Sequence, residues 1–161
     1  MFKIVLYQPE IPANTGNIGR LCVGTDCELH IIKPMRFMIN DKYLKRAGLD
    51  YWEKLKFYLH DNLIEMKENY QGNLYYCTTK TRQCYTEFNY HTGDMFVFGP
   101  ESRGLPEELL QENCDKTINI PMSPSIRSLN LSNSVAIVLY EALRQVNYRG
   151  DYDNQKRRIL C

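Results

Sequence analysis

A chain of 161 residues, 43% hydrophobic and 24% charged, has the length and composition of one globular domain, which excludes disordered and fibrous classes. Twenty Lys and Arg against 19 Asp and Glu leave a formal charge of +1, so no global field draws the chain to nucleic acid or a membrane. Any polyanion partner must therefore be held by a local patch. No apolar run approaches the ~20 residues of a membrane span, and Met1-Phe2-Lys3-Ile4 lacks the layout of a secretion signal, so a cytoplasmic protein is expected.

The six cysteines (Cys22, Cys27, Cys77, Cys84, Cys114 and Cys161) form no C-x-x-C pair, and His30, His60 and His91 stand apart from them. Zinc and thiol-redox sites need closer spacing, so free thiols are expected and the histidines read as structural.

In chain order, Ile4-Val5-Leu6-Tyr7 is a short, continuously apolar run, the mark of a strand covered on both faces. Pro9 and Pro12 break it, and Asn14-Thr15-Gly16-Asn17 reads as turn chemistry. Ile18, Leu21 and Cys22 then fall on one helix face, and Leu29-His30-Ile31-Ile32 is a second buried strand. A crossover of that length implies parallel pairing. Asp41 reads as the cap of a short basic helix ended by Gly48. Leu55, Phe57 and Leu59 alternate like a strand, and Leu63, Met66 and Tyr70 suit a helix. Leu74 to Thr78 and Met95 to Phe98 are further strands, Pro106 opens a helix through Gln111, and Ile118-Asn119-Ile120 is a last short strand. A helix from Leu131 to about Val146 closes one domain over residues 1–150, leaving a polar tail, 151–161. Alternating strands and helices predict an α/β fold with a mostly parallel sheet and helices on both faces.

In open α/β sheets ligands sit beyond the carboxyl ends of the strands. Three loops there are unusual: Asn14 to Arg20, Phe98 to Pro106, and Ile120 to Asn133. No G-x-x-x-x-G-K-[ST], G-x-G-x-x-G or G-x-S-x-G is present, which argues against P-loop, dinucleotide and serine-hydrolase chemistry. What remains is a pocket of glycines, backbone amides and small polar side chains with Arg20, Arg103 and Arg127 nearby. Such a pocket suits a nucleoside ligand beside a phosphate-bearing second substrate.

N-x-G-N-x-x-R, F-G-P-E-S-R-G-L-P, and I-P-M followed by S-L-N-L-S-N-S-V-A, in that order, resemble the three-motif signature of the SPOUT methyltransferases. The opening V-L-Y-Q-P-E-I-P-A-N-T-G-N-I and R-A-G-L-D-Y at Arg46–Tyr51 resemble, within them, the small YibK-like enzymes that methylate the tRNA wobble nucleotide. The resemblance covers about residues 1–150. It implies S-adenosylmethionine (AdoMet) as methyl donor, no metal, a homodimer formed through the first motif and the helical end of the third, and a C-terminal trefoil knot. The implied reaction is 2′-O-methylation of a wobble cytidine or carboxymethylaminomethyl-uridine in the tRNA anticodon stem-loop. By the same resemblance, cofactor contacts fall at Cys77, Gly99, Ile120, Ser128 and Leu129. The catalytic set is Arg20, Ser128 and Asn130, and the RNA contacts are Asn17, Arg20, Lys45, Arg46, Arg103 and Arg127. Departures are Gly19 for a common apolar residue, Cys77 for a usual Leu, and Asp26-Cys27 for a glycine-containing turn.

A guanidinium is a poor base, so Arg20 is expected to grip the adjacent phosphate and favour the emerging alkoxide while Ser128 and Asn130 orient the hydroxyl. Lys33, Arg36, Lys42, Lys45 and Arg46 carry only Asp41 against them in sequence, a local basic patch suited to RNA phosphates. The closing helix is apolar nearly all round, which calls for cover on both sides. Two alternatives stay open: a 2′-O-methyltransferase acting on ribosomal RNA, and a catalytically silent RNA-binding dimer.

Overall fold

A computed structural model describes residues 1–37 and 52–148. Six strands run β1 (Lys3–Tyr7), β2 (Glu28–Ile32), β3 (Phe57–His60), β4 (Leu74–Cys77), β5 (Met95–Phe98) and β6 (Thr117–Ile118). They form one sheet in the order β3-β2-β1-β5-β4-β6, and every pairing is parallel. The helices are α1 (Pro12–Gly24), α2 (Leu63–Asn69), α3 (Glu107–Glu112) and α4 (Leu131–Gln145).

Alternation along the strands sorts the apolar side chains into two layers. Ile4, Leu6, Leu29, Ile31, Phe96 and Phe98 face Ile18 and Cys22 of α1 and Val135, Val138 and Leu139 of α4. Val5, Ile32, Tyr76, Met95 and Val97 face Leu63 and Met66 of α2 and Leu110 of α3. The sheet is thus covered on both faces, as the unbroken apolar strands predict.

Two elements differ from expectation. The segment Asn14 to Asn17 is not a turn but the first half of α1, which starts at Pro12. Proline at the first helical position loses no hydrogen bond there and presets the backbone angle. The Asn14 side chain is engaged by two distant residues, so it does not compete with its own backbone. The last strand stops at Ile118, and Asn119 makes only an isolated bridge to Cys84 before Pro121. The predicted helix from Asp41 and the tail 151–161 lie outside the described residues.

The strand order reverses between β1 and β5. β1, β2 and β3 step outward one way, while β5 lies on the other side of β1. That reversal is a topological switch point, where the loops leaving two adjacent strands diverge and open a crevice at their carboxyl ends.

Candidate active site

The crevice is a cavity of about 710 Å³. Its walls come from the loops after β1, β4, β5 and β6, including Ile11 and Asn14, Thr78 to Lys80, Phe98 to Leu105, and Ile120 with Met122 and Ile126 to Leu131. Its lining mixes apolar side chains, small hydroxyls, amides and glycines, the composition of a site that can hold a nucleoside by shape and main-chain bonds.

Glu101 ties the motif loops together. Its carboxylate accepts from the backbone N–H of Glu10 (2.9 Å) and Ile11 (3.2 Å) and from Asn14 Nδ2 (2.9 Å). Asn14 Oδ1 in turn accepts from Asn130 Nδ2 at 3.0 Å. Asn130 Oδ1 caps α4, accepting from the N–H of Ser132 (2.9 Å) and Asn133 (3.4 Å). One chain of side-chain bonds therefore runs from the β5 loop through α1 to the start of α4. Both polar atoms of Asn130 take part in it.

A reciprocal contact runs the other way. Glu10 accepts from the Ser102 N–H at 3.0 Å and approaches Arg103 Nη1 (3.5 Å) and Arg36 Nε (3.3 Å). The Ser102 hydrogen bond, with attraction from Arg36 and Arg103, holds the Glu10 carboxyl below the usual carboxylate range. Burial pushes the Cys77 thiol up to about 12, so this cavity wall is a neutral, inert thiol. Lys80 at the cavity edge pairs with Glu107 at the start of α3.

Gly99 is required by chain closure. A Cβ there would sit 2.3 Å from the Gly104 carbonyl carbon and the Leu105 nitrogen, and Gly104 itself holds a φ of +72°. The β5 loop folds back on its own strand end, and only glycine leaves room.

Of the predicted site residues, Cys77, Gly99, Ile120, Arg103, Arg127, Ser128, Leu129 and Asn130 all line the cavity. Asn17 and Arg20 do not; they lie on the exposed side of α1. Lys45 and Arg46 lie outside the described residues. The basic run has more acid against it than its sequence shows: Lys33 pairs with Asp61, and Arg36 with Glu10. Sequence reading missed Glu10, Gln8 and the Thr78–Lys80 loop. The loop follows a strand end on the ligand side, and that position was the available signal.

The donor set fits AdoMet. Gly99, Ile120 and Leu129 make no backbone–backbone hydrogen bond among the described residues, so their main-chain groups are open to an adenosine. Glu101, the one carboxylate among the described lining residues, is engaged by three donors, which leaves the neutral Cys77, Thr78 and Thr79 side chains and the open main-chain groups to face a nucleoside. Among the described residues no group of three His, Cys, Asp or Glu is placed to hold a metal ion, and no helix is long and apolar enough to cross a membrane.

Residues 1–140 match the SpoU rRNA Methylase family. A Bacillus subtilis (strain 168) protein is 53% identical over 150 residues, covering 91% of this chain and 94% of its own. An Escherichia coli (strain K12) protein named tRNA (cytidine(34)-2'-O)-methyltransferase is 48% identical over 152 residues, covering 93% of this chain and 97% of its own. A solved structure described as giving structural insights into the 2-OH methylation of C/U34 on tRNA matches with a TM-score of 0.87 and 41% identity, over 92% of this chain and 98% of that one.

Proposed function

The chain belongs to the SpoU rRNA methylase family, and from that premise we propose that it methylates the ribose 2′-hydroxyl of the wobble nucleotide of tRNA with AdoMet as donor. The observation that carries this reading is the near-full-length identity of 48% to a protein named for that reaction. AdoMet supplies, when bound, a methyl group on a positively charged sulfonium that departs as a neutral thioether.

The chain's own residues bind, align and stabilise. Main-chain groups of Gly99, Ile120 and Leu129 hold the adenosine, and Cys77 adds a neutral wall. The Glu101–Asn14–Asn130 relay fixes the three loops in register, so the donor pocket and the acceptor position keep a set distance. Asn130 thereby acts as a positioning residue. Ser128, exposed at the rim, orients the hydroxyl, and Arg103 and Arg127 contact backbone phosphates.

Arg20 enters this scheme through a second copy of the chain. Tyr140 on α4 is 50% exposed, Ala136 and Ile137 beside it are half-buried, and Arg20 and Asn17 lie on the exposed side of α1. A homodimer through α1 and α4 covers that apolar face and carries Arg20 to the partner's cavity, where it grips a phosphate and stabilises the alkoxide. We assign the family's trefoil knot to the C-terminal segment and place the reaction in the cytoplasm.

The test is nucleoside mass spectrometry of tRNA from a strain lacking the gene. Loss of a 2′-O-methylated anticodon residue is expected. Intact tRNA with a methyl missing from ribosomal RNA would replace this substrate with the other. Unchanged RNA together with no AdoMet binding by calorimetry would indicate a silent binding module.

A further inference from the structure

Glu10 lies outside the three motifs, yet its carboxylate is bonded to the N–H of Ser102 in the cavity wall. Its side chain is 9% exposed, whereas the two guanidinium side chains that converge on it, Arg103 and Arg36, are 53% and 69% exposed. The carboxylate therefore sits beneath the arginines and leaves their outer faces to solvent. Arg103 is held at a second point: Nη2 donates to Gln8 Oε1 at 2.7 Å, while Nη1 faces Glu10 Oε1 at 3.5 Å. Gln8 reaches that position from a backbone φ of +51°, a left-handed conformation that side chains disfavour, with its N–H pinned to the Ile32 carbonyl at 3.0 Å.

We propose that Glu10 and Gln8 are positioning residues that hold Arg103, with Arg36 beside it, as a preset grip for a phosphodiester of the incoming tRNA strand. The inference rests on the methyltransferase reading above and adds the residues that aim its RNA contact. Two guanidinium groups brought together repel and swing apart. One carboxylate between them makes the convergence stable and still leaves the cluster at +1. An arginine fixed before binding loses less side-chain freedom when it meets the phosphate.

Charge and geometry give opposite signs on substitution, which makes the proposal testable. Glu10→Gln removes a negative charge beside an RNA site, so Coulomb attraction alone tightens tRNA. Loss of positioning weakens it. Binding is read directly, by fluorescence anisotropy of a labelled anticodon stem-loop across a salt series, and in parallel by steady-state methylation.

For Glu10→Gln we expect affinity and the KM for tRNA to worsen by about 10-fold, the loss of one charge-assisted contact. kcat and AdoMet affinity should stay within about twofold, and the salt slope should fall by about 1. Gln8→Ala should shift the same readouts in the same direction. In an Arg103→Ala background, Glu10→Gln should add less than about twofold.

Tighter or unchanged tRNA binding by Glu10→Gln overturns the proposal. So does a parallel loss of AdoMet affinity, which would make Glu10 only a tie between loops through Ser102. If Glu10→Gln does not fold, Gln8→Ala decides on the same criteria. A wild-type protein that binds the stem-loop but never methylates it sinks the functional reading, and the anisotropy series still decides this one. A wild-type protein that binds no tRNA sinks both.

Discussion

Asn130 does two separable jobs, and substitution can divide them. Its Oδ1 caps α4 through Ser132 and Asn133, and its Nδ2 donates to the buried Asn14. Alanine removes both functions: about 1 kcal/mol for the cap and about 1–2 kcal/mol for the lost bond with its stranded acceptor. Asn130→Ala should therefore lose about 2–3 kcal/mol, a fall in Tm of roughly 4–12 °C for a chain of this size. Aspartate keeps the capping oxygen, and its charge at the start of α4 is worth about 0.5 kcal/mol in its favour. It replaces the donor toward Asn14 with a second acceptor, in line with the Glu101 carboxylate beyond. Asn130→Asp should thus lose only about 0.5–1.5 kcal/mol, a fall in Tm of roughly 1–6 °C, because the cap is kept and only the link to Asn14 is broken. It should nevertheless lose about 10–100-fold in kcat/KM, since loop register is gone. Thermal melts monitored by circular dichroism, with methyl transfer to tRNA, measure both. An aspartate variant as unstable as alanine would refute the capping argument, and one with full activity would refute the positional argument.

Other outcomes follow from the same geometry. Gly99→Ala puts a Cβ 2.3 Å from two backbone atoms, so the loop must move by about 1 Å; we expect about 1–3 kcal/mol of destabilisation and at least a tenfold loss of AdoMet affinity by calorimetry. Arg20→Ala should abolish methylation while AdoMet binding survives, and normal turnover would remove Arg20 from the reaction. Burial, with His60 adding repulsion against the opposing Glu28 bond, lowers the His30 pKa to about 4. The unfolded chain takes up that proton near pH 6.5 and the native state does not, so stability should fall from pH 6.5 to pH 4 by up to about 3 kcal/mol. Urea titrations of the wild type and His30→Gln check this; equal slopes in the two proteins would sink the assignment.

Much of the fold was legible because strands buried on both faces leave unbroken apolar runs, as in Ile4–Leu6 and Met95–Phe98. The loops of the site were legible as motifs. Their internal bonding was not, because Glu101 meets Asn14 and Asn130 only after β5 docks beside β1. The same long-range docking turns Asn14–Asn17 from turn-formers into helix, a tertiary override of local propensity. Gln8 and Glu10 fall in the opening stretch that resembles the YibK-like enzymes, but nothing local marks them as partners of Arg103. His30 and His60 looked like unrelated residues; parallel registry of β2 with β3 stacks their rings 5.2 Å apart.

The pairing of Lys3 with Met95 sets an order of assembly during synthesis. A nascent chain can zip β1 to β2 early, but the opposite edge of β1 must wait, apolar and unpaired, until β5 leaves the ribosome. At ~5–20 residues per second that delay is roughly 5–20 s, long enough for a holdase chaperone to act. The methyl-transfer chamber closes only after Ile126 to Ser134 have followed β5 and β6 out of the ribosome, and a product terminated before them has no such chamber at all.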